Sequence, residues 1–357
     1  MPVGEKQEPM VKLKTLTPLW TGDVLGECGK IEESGILGSI RWWYEVLNRG
    51  RGLRTCSPTG RDKCSLDKKK FIELVSEGKS EEQALRALNI CPACQLFGCN
   101  GWSSKLRLVV DDQGGEGLRA PVKVECRKLK DRKGDQLTRT VGGRFFNERQ
   151  PLILKFQTLK EITGEERRNL ELILKLIACW GALGARTAQG NGVVEMVNSN
   201  FAHPGLEIHG LVSNGAGLPR LSNFFFLKCR LEFKKEIKEI IAENGFWTGL
   251  SGGNQGFSKL WENHNFIPIA FHVRDAIRWM ETDKNQRHFR FGKVGQVDGE
   301  RKQLGSKVFV SHGYKINGKA VEVRIWGYPV AGGKNDFVNR LKTRVELELS
   351  KKLFAEE

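Results

Sequence analysis

LGARTAQGNGVVEM, Leu183–Met196, joins a long apolar helical stretch to a strand-like run, and the fold is read outward from it. Gly184, Gly190 and Gly192 surround Arg186, Thr187 and Gln189. Glycines permit positive φ and close backbone approach, while guanidinium, hydroxyl and amide groups donate to phosphate and sugar oxygens. That makeup suits a loop pressed against a polyanion; the other reading is a plain helix C-cap, which Gly184 alone would satisfy. Before the loop, Glu165–Leu183 reads as a helix apolar almost all round and hence buried. After it, Gly192–Asn198 reads as a strand.

Further outward, Val11–Leu19 has extended character, and Ile36–Leu47 places Ile36, Ile40, Trp43, Tyr44 and Leu47 on one helical face. Arg41 and Trp42 point away from that stripe. An insertion at about 50–100 carries a helix near Ser80–Leu88. Strands follow at Lys105–Val110 and Pro151–Thr158. The resulting order, βαββαβ, is that of ferredoxin-like and RNA-recognition folds. Phe201–Leu221 gathers Pro, Gly, Ser and Asn without periodicity and reads as a linker. Beyond it, strands are expected at Phe224–Phe233, Lys307–His312 and Ala320–Trp326, the last two joined through GYKING as a hairpin. Helices are expected at Lys234–Ala242 and Asp336–Phe354. The expectation is α+β: two tandem ferredoxin-like (RRM-like) domains over 1–200 and 222–357, the first with the cysteine-rich insertion and the second without a clear final strand.

The segments LKTLTPLWTGD (Leu13–Asp23), SGILGSIRWWYEVL (Ser34–Leu47) and CPACQLFG (Cys91–Gly98), followed by the glycine loop, resemble the RAMP superfamily of CRISPR effector proteins. With RHFRFG (Arg287–Gly292) and VRIWGYP (Val323–Pro329) in the second half, the likeness extends over most of the chain and is greatest to the first RAMP subunit of the type III-B (Cmr) complex. The resemblance implies a non-catalytic subunit that caps a crRNA-bearing filament, near the guide's 3′ region and its target. Its partners would be crRNA, target RNA and the other RAMP and effector-complex subunits, with target cleavage left to a different subunit. Carried over by position, Arg41 and Trp42, the loop residues Arg186, Thr187 and Gln189, and Arg287 and Arg290 become RNA-contacting candidates; the loop glycines Gly190 and Gly192, and His288, flanked by Arg287, Phe289 and Arg290, join them on their own composition. One departure from the family pattern is that only Arg186 is basic in this loop, where relatives often carry two or more.

Charge points the same way independently. Of 357 residues, 58 are Lys or Arg and 42 Asp or Glu, a net charge of +16 that calls for a polyanionic or acidic partner. The excess is concentrated: Arg119–Arg149 holds ten basic residues against four acids, with Arg144, Phe145 and Phe146 interleaving charge and rings. Single-stranded RNA binding uses that mixture, charge tracking the backbone and rings stacking on bases. The polar N-terminus and interrupted apolar runs predict a cytoplasmic protein with no membrane partner.

In a reducing compartment nine cysteines are not a disulfide framework. Cys56 and Cys64 in TCSPTGRDKCS, with Cys91 and Cys94 in C-P-A-C, make a four-thiolate candidate for structural zinc, with Cys99 as a substitute ligand. A metal would order an insertion too small for its own core. Cys28, Cys126, Cys179 and Cys229 read as isolated thiols, Cys179 within a helix core. Catalytic signals are thin: the six histidines are scattered. The alternative class is a RAMP-type endoribonuclease, using Asp23, or Asp111 with Asp112, to hold a metal, or His288 as acid or base.

Overall fold

A computed structural model describes residues 8–58, 60–124, 137–202, 205–212, 218–243, 255–297, 300–328 and 334–344. In β1 (Met10–Thr15) the alternation of MVKLKT turns Val11, Leu13 and Thr15 inward. Helix α1 (Glu33–Gly50) follows, then three short helices in the insertion: α2 (Lys68–Ser76), α3 (Glu81–Ala87) and α4 (Pro92–Phe97). Strand β2 (Leu106–Asp111) leads into a ribbon of β3 (Glu116–Val124) and β4 (Leu137–Phe145). Next come β5 (Leu152–Thr158), α5 (Gly164–Trp180) and β6 (Val194–Ser199).

The first sheet is antiparallel, in the order β2-β5-β1-β6, with Leu13 opposite Leu152 and Val110 opposite Leu154. With the insertion and ribbon set aside, its elements run βαββαβ. α1 and α5 cover one face, where Val11, Leu13, Leu108, Leu154 and Phe156 meet Ile40, Trp43, Leu47, Ile173 and Ile177. The other face carries Arg107, Lys155 and the half-buried Lys12. Phe156, the one ring within these four strands, is buried, so this sheet offers no aromatic platform of the RNA-recognition kind. Helix α5 begins with a capping box, Thr163 and Glu166 each accepting the other's backbone amide. Its C-terminal half is buried on nearly every side, as its apolar run requires, except at Cys179. That thiol is exposed, which corrects the expectation of a core position.

In the second half β7 (Phe225–Glu232) is followed by α6 (Ile237–Ala242), α7 (Gln255–His264), β8 (Phe266–Ile267), α8 (Ala270–Arg278) and α9 (Lys284–Phe291). A hairpin of β9 (Lys293–Val297) and β10 (Glu300–Leu304) precedes β11 (Val308–Val310), β12 (Gly313–Asn317), β13 (Ala320–Gly327) and α10 (Lys334–Arg344). β13 pairs with β7 along one edge and with β11 and β12 along the other, and β12 pairs with β8. One sequence expectation is corrected. GYKIN is a strand of its own, and the turn before β13 is Gly318–Lys319. RHFRF is helical, inside α9, because Asp283 caps the start of that helix by accepting from Gln286 N. The expected helix beyond residue 344, and residues 125–136 of the basic stretch, lie outside the described residues.

The two halves share their cores. Phe224 and Trp326 pack with the first-half cluster, and Val122, Val141, Phe145 and Val193 pack with the second. Arg324, 3% exposed, crosses the boundary: Nη1 donates to Ile177 O (3.4 Å) and Gly181 O (3.3 Å) at the end of α5, and Nε donates to Tyr314 Oη (3.0 Å). A cation at a helix C-terminus satisfies orphan carbonyls and opposes the negative end of the helix dipole. No helix among the described residues is long and apolar enough to cross a membrane.

Candidate metal centre and nucleic-acid interface

The four cysteines picked out by spacing converge. Cys56, Cys64, Cys91 and Cys94 are buried, and their Sγ atoms lie within 4.8 Å of one another. Cys56 Sγ is 3.5 Å from Cys94 Sγ and 3.8 Å from Cys91 Sγ. A tetrahedral thiolate site with Zn–S of about 2.3 Å has S···S edges of about 3.8 Å, so the donor set fits one such ion. The sequence builds the site locally. Cys91 is the N-cap of α4 with Pro92 behind it, which puts Cys91 and Cys94 on the first turn. The hydrogen bond from Cys94 pulls the Cys91 thiol down to about 4, and burial pushes Cys64 up to about 12. Cys99, half-buried and with its thiol directed to Asn100 O, is not among the four.

Arg41 belongs to this centre. Its Nη2 donates to Cys94 Sγ (3.2 Å), its Nη1 to Gly98 O (3.0 Å), and its Nε pairs with the buried Glu45 (3.1 Å). The IR of helix α1 and the LFG element are therefore joined by one guanidinium, which holds the cysteine-bearing insertion to the first helix. Trp42 is half-buried rather than exposed. Its ring sits edge-on to Trp43, Phe224 and Phe309, in an aromatic cluster between the halves.

The glycine loop is gripped from both sides. Ala185 N donates to Trp20 O (2.7 Å), Gly192 N to Pro18 O (2.9 Å) and Gly184 N to Ser39 Oγ (3.2 Å). Asn191 Nδ2 donates to Gly142 O, while His312 N, from the second half, donates to Gly190 O. The glycines answer to this packing. A Cβ on Gly192 (φ +89°) would lie 2.1 Å from Leu183 O, and one on Gly190 (φ +108°) 2.7 Å from the His312 ring. His312 is fully buried. Its Nδ1 accepts from Ala270 N, its Nε2 has no hydrogen-bond partner among the described residues, and burial lowers its pKa to about 3, which keeps it neutral.

Arg186 and Gly190 adopt left-handed conformations on either side of a single 3-10 turn, Thr187–Gln189. The Arg186 guanidinium lies 3.8 Å from the centroid of the Trp20 ring. Among the described residues no carboxylate pairs with it, and its pKa is lowered by burial rather than raised by an acid. Gln189 is exposed beside it. An arginine stacked on an indole and free of acids keeps its donor edges for an anion. Trp20 was not anticipated as its support; the signal was the tryptophan ending TPLW, ahead of Gly22.

Other candidates are committed elsewhere. Arg144 donates to Gly29 O, Asp112 O and Gly115 O, tying the ribbon to the β1–α1 connection. Phe145 is buried and stacks on His264 (4.3 Å between centroids), so neither it nor the buried Phe146 is open to a base. Arg290 pairs with the buried Glu281, which Arg340 also reaches. Arg287 lies over Trp279 (4.6 Å), and His288 beside it is half-buried. The candidate metal-binding acids hold backbone amides: Asp23 those of Leu25 and Glu27, Asp112 that of Ile31, and Asp111 that of Gln113.

A family model of the RAMP superfamily matches residues 12–195. Among solved structures the chain is similar to Cmr1 from Pyrococcus furiosus in its apo form, at 14% identity over 94% of this chain and 96% of that one, with a TM-score of 0.37. It is also similar to a chain of the type III-B Cmr-beta complex bound to cognate target RNA and AMPPnP in the presence of ssDNA, at 12% identity over 96% and 99% of the two chains, with a TM-score of 0.43. A search of curated proteins finds no match.

Proposed function

The chain belongs to the RAMP superfamily, and from that premise we propose that it is a non-catalytic RNA-binding subunit of a type III CRISPR interference complex. In this reading both halves are ferredoxin-like units, and the crevice and glycine loop between them receive RNA. The subunit contacts the guide 3′ region or target RNA at one end of a filament of sister subunits in the cytoplasm. The observation that carries the reading is Arg186, stacked on Trp20 with no acid partner among the described residues, on a loop whose glycines are fixed by both halves. Thr187 and Gln189 add neutral donors. Base pairing between guide and target supplies the sequence specificity, and the protein supplies backbone contacts.

Cys56, Cys64, Cys91 and Cys94 hold a structural zinc ion in this proposal. A closed four-thiolate set leaves no open coordination position, so the ion's chemistry is to fix the insertion rather than to activate water. Arg41, donating to Cys94 Sγ, stabilises the thiolate and carries that rigidity into α1.

The test is binding of labelled single-stranded RNA to the purified chain over a range of salt. With about five phosphates neutralised, log affinity should fall with log salt at a slope near −3.5. Arg186→Ala should flatten the slope by about 0.7 and weaken binding roughly fourfold at about 150 mM salt, equally for all sequences. A loss confined to one sequence contradicts the backbone-contact mechanism. RNA cleavage by the purified protein that disappears in Asp23→Asn or His288→Ala overturns the non-catalytic assignment.

A further inference from the structure

Helix α9 and the strands beside it carry a second concentration of positive charge and rings, and Arg287 there donates only to the backbone carbonyls of Glu281 and Thr282 among the described residues. Lys284, Arg287, Lys293 and Arg278 all lie close enough to His288 to act on it electrostatically, each disfavouring its protonation. On one side Arg287 lies over Trp279. On the other, Lys307 Nζ sits 2.9 Å from the centroid of Phe289, a ring that is 40% exposed. The nearby acids are engaged. Asp275 accepts from Trp279 Nε1, Asp283 caps α9, and Glu281 is buried against Arg290 and Arg340. Among the described residues no ion pair engages Lys284, Arg287, Lys293 or Lys307.

Like-charged side chains gathered where the nearby acids are already engaged repel one another, at a cost that an anionic ligand removes. A fold that needed this surface only for solubility would intersperse the two signs. Here cations alternate with Trp279 and Phe289, and rings beside cations fit unpaired nucleotides better than an acidic polypeptide, which has no bases to stack.

We infer that the surface of α9 formed by Lys284, Arg287, His288, Phe289, Lys293 and Lys307 is a second single-stranded RNA contact, additional to the glycine loop. It holds phosphates on the cations and a base on Phe289. This inference rests on the RNA-binding reading above and extends it from the glycine loop onto the surface of α9. Arg290, held by Glu281, is not part of it and supports α9 from beneath.

The test uses the full-length chain and a fluorescent oligouridylate, comparing Lys284→Ala/Lys293→Ala, Phe289→Ala and Arg186→Ala. Losing two phosphate contacts should weaken binding roughly 15-fold at about 150 mM salt and flatten the salt slope by about 1.4. Phe289→Ala, at an exposed position, should weaken binding roughly fivefold or more while leaving the slope unchanged. If Arg186→Ala weakens binding and the α9 variants match the unaltered protein, this inference fails and the proposed function stands. If the unaltered protein binds no RNA even at low salt, both fail. Binding of poly-glutamate that is lost in the lysine variant, with oligouridylate affinity unchanged, assigns the surface to an acidic protein partner and overturns the inference.

Discussion

Replacing Arg324 by methionine should loosen the joint between the two halves, and its cost follows from the bonds the guanidinium makes. The substitution keeps much of the apolar stem but removes the donors to Ile177 O, Gly181 O and Tyr314 Oη. The two carbonyls end helix α5, where a buried cation also opposes the helix dipole, a contribution of up to about 2 kcal/mol. Each hydrogen bond from a charged donor is worth about 1.5–3 kcal/mol, but the two carbonyl bonds are long, so together they count for about one good bond. A net loss of about 3 kcal/mol is expected. At roughly 2.1 cal/mol/K per residue over all 357 residues, that is a fall in Tm of about 4 °C if both halves melt together. Urea denaturation followed by tryptophan fluorescence measures it. A loss below about 1 kcal/mol would refute the reasoning, since the guanidinium would then be a passenger at the boundary rather than its fastener. Arg324→Lys should recover only part of the loss, because one ammonium cannot span three acceptors.

The remaining predictions concern the metal, the loop and acid. The purified chain should carry one zinc per molecule, measurable by atomic emission, and Cys91→Ser should lower both zinc content and Tm; full zinc retention in that variant contradicts four-thiolate coordination. Gly192→Ala should cost roughly 2–4 kcal/mol, because its Cβ meets a backbone carbonyl at 2.1 Å and φ is +89°, whereas Gly38→Ala in helix α1, with nothing within 4 Å, should be neutral or stabilising by up to about 1 kcal/mol. Paired denaturation curves decide it. His312 is neutral when folded, with a pKa lowered to about 3, so the unfolded chain takes up a proton that the folded one refuses between that value and its ordinary value of about 6.5. Stability should therefore be unaffected by this group above about pH 6.5 and fall below it, by up to about 1.4 kcal/mol per pH unit. His264 and His288, also lowered, act in the same sense. His312→Gln should show a shallower acid limb, and an identical limb would remove the histidine from the explanation.

Periodicity and spacing made the first half legible. The stripe Ile36, Ile40, Trp43, Tyr44 and Leu47 and the alternation in MVKLKT are core-facing patterns, and the paired cysteines are close in sequence within each pair. What the sequence did not disclose is pairing at long range. In the sequence Arg41 and Arg144 cannot be told from Arg186, and only the fold reveals that Gly98 O, Cys94 Sγ and Glu45 occupy the first, and three loop carbonyls the second. Trp42 and Phe145 look like stacking rings by composition, and both are spent on the contact between halves. The glycines of the loop pointed to close backbone approach, and the atoms approached are the protein's own. Helices α7 to α9 escaped because each is only eight to ten residues long, too short for the apolar stripes of α7 and α8 to stand out, and α9 is set by the Asp283 cap and by packing of Phe291 rather than by a stripe.

The most direct test of the central claim is to recover the tagged full-length chain from its host under native conditions and to sequence the RNA and identify the proteins that accompany it. The account predicts CRISPR guide RNAs together with several sister RAMP subunits, the RNA being reduced when Arg186 and the α9 cations are removed together. Recovery of the chain alone, or with unrelated transcripts, would contradict it.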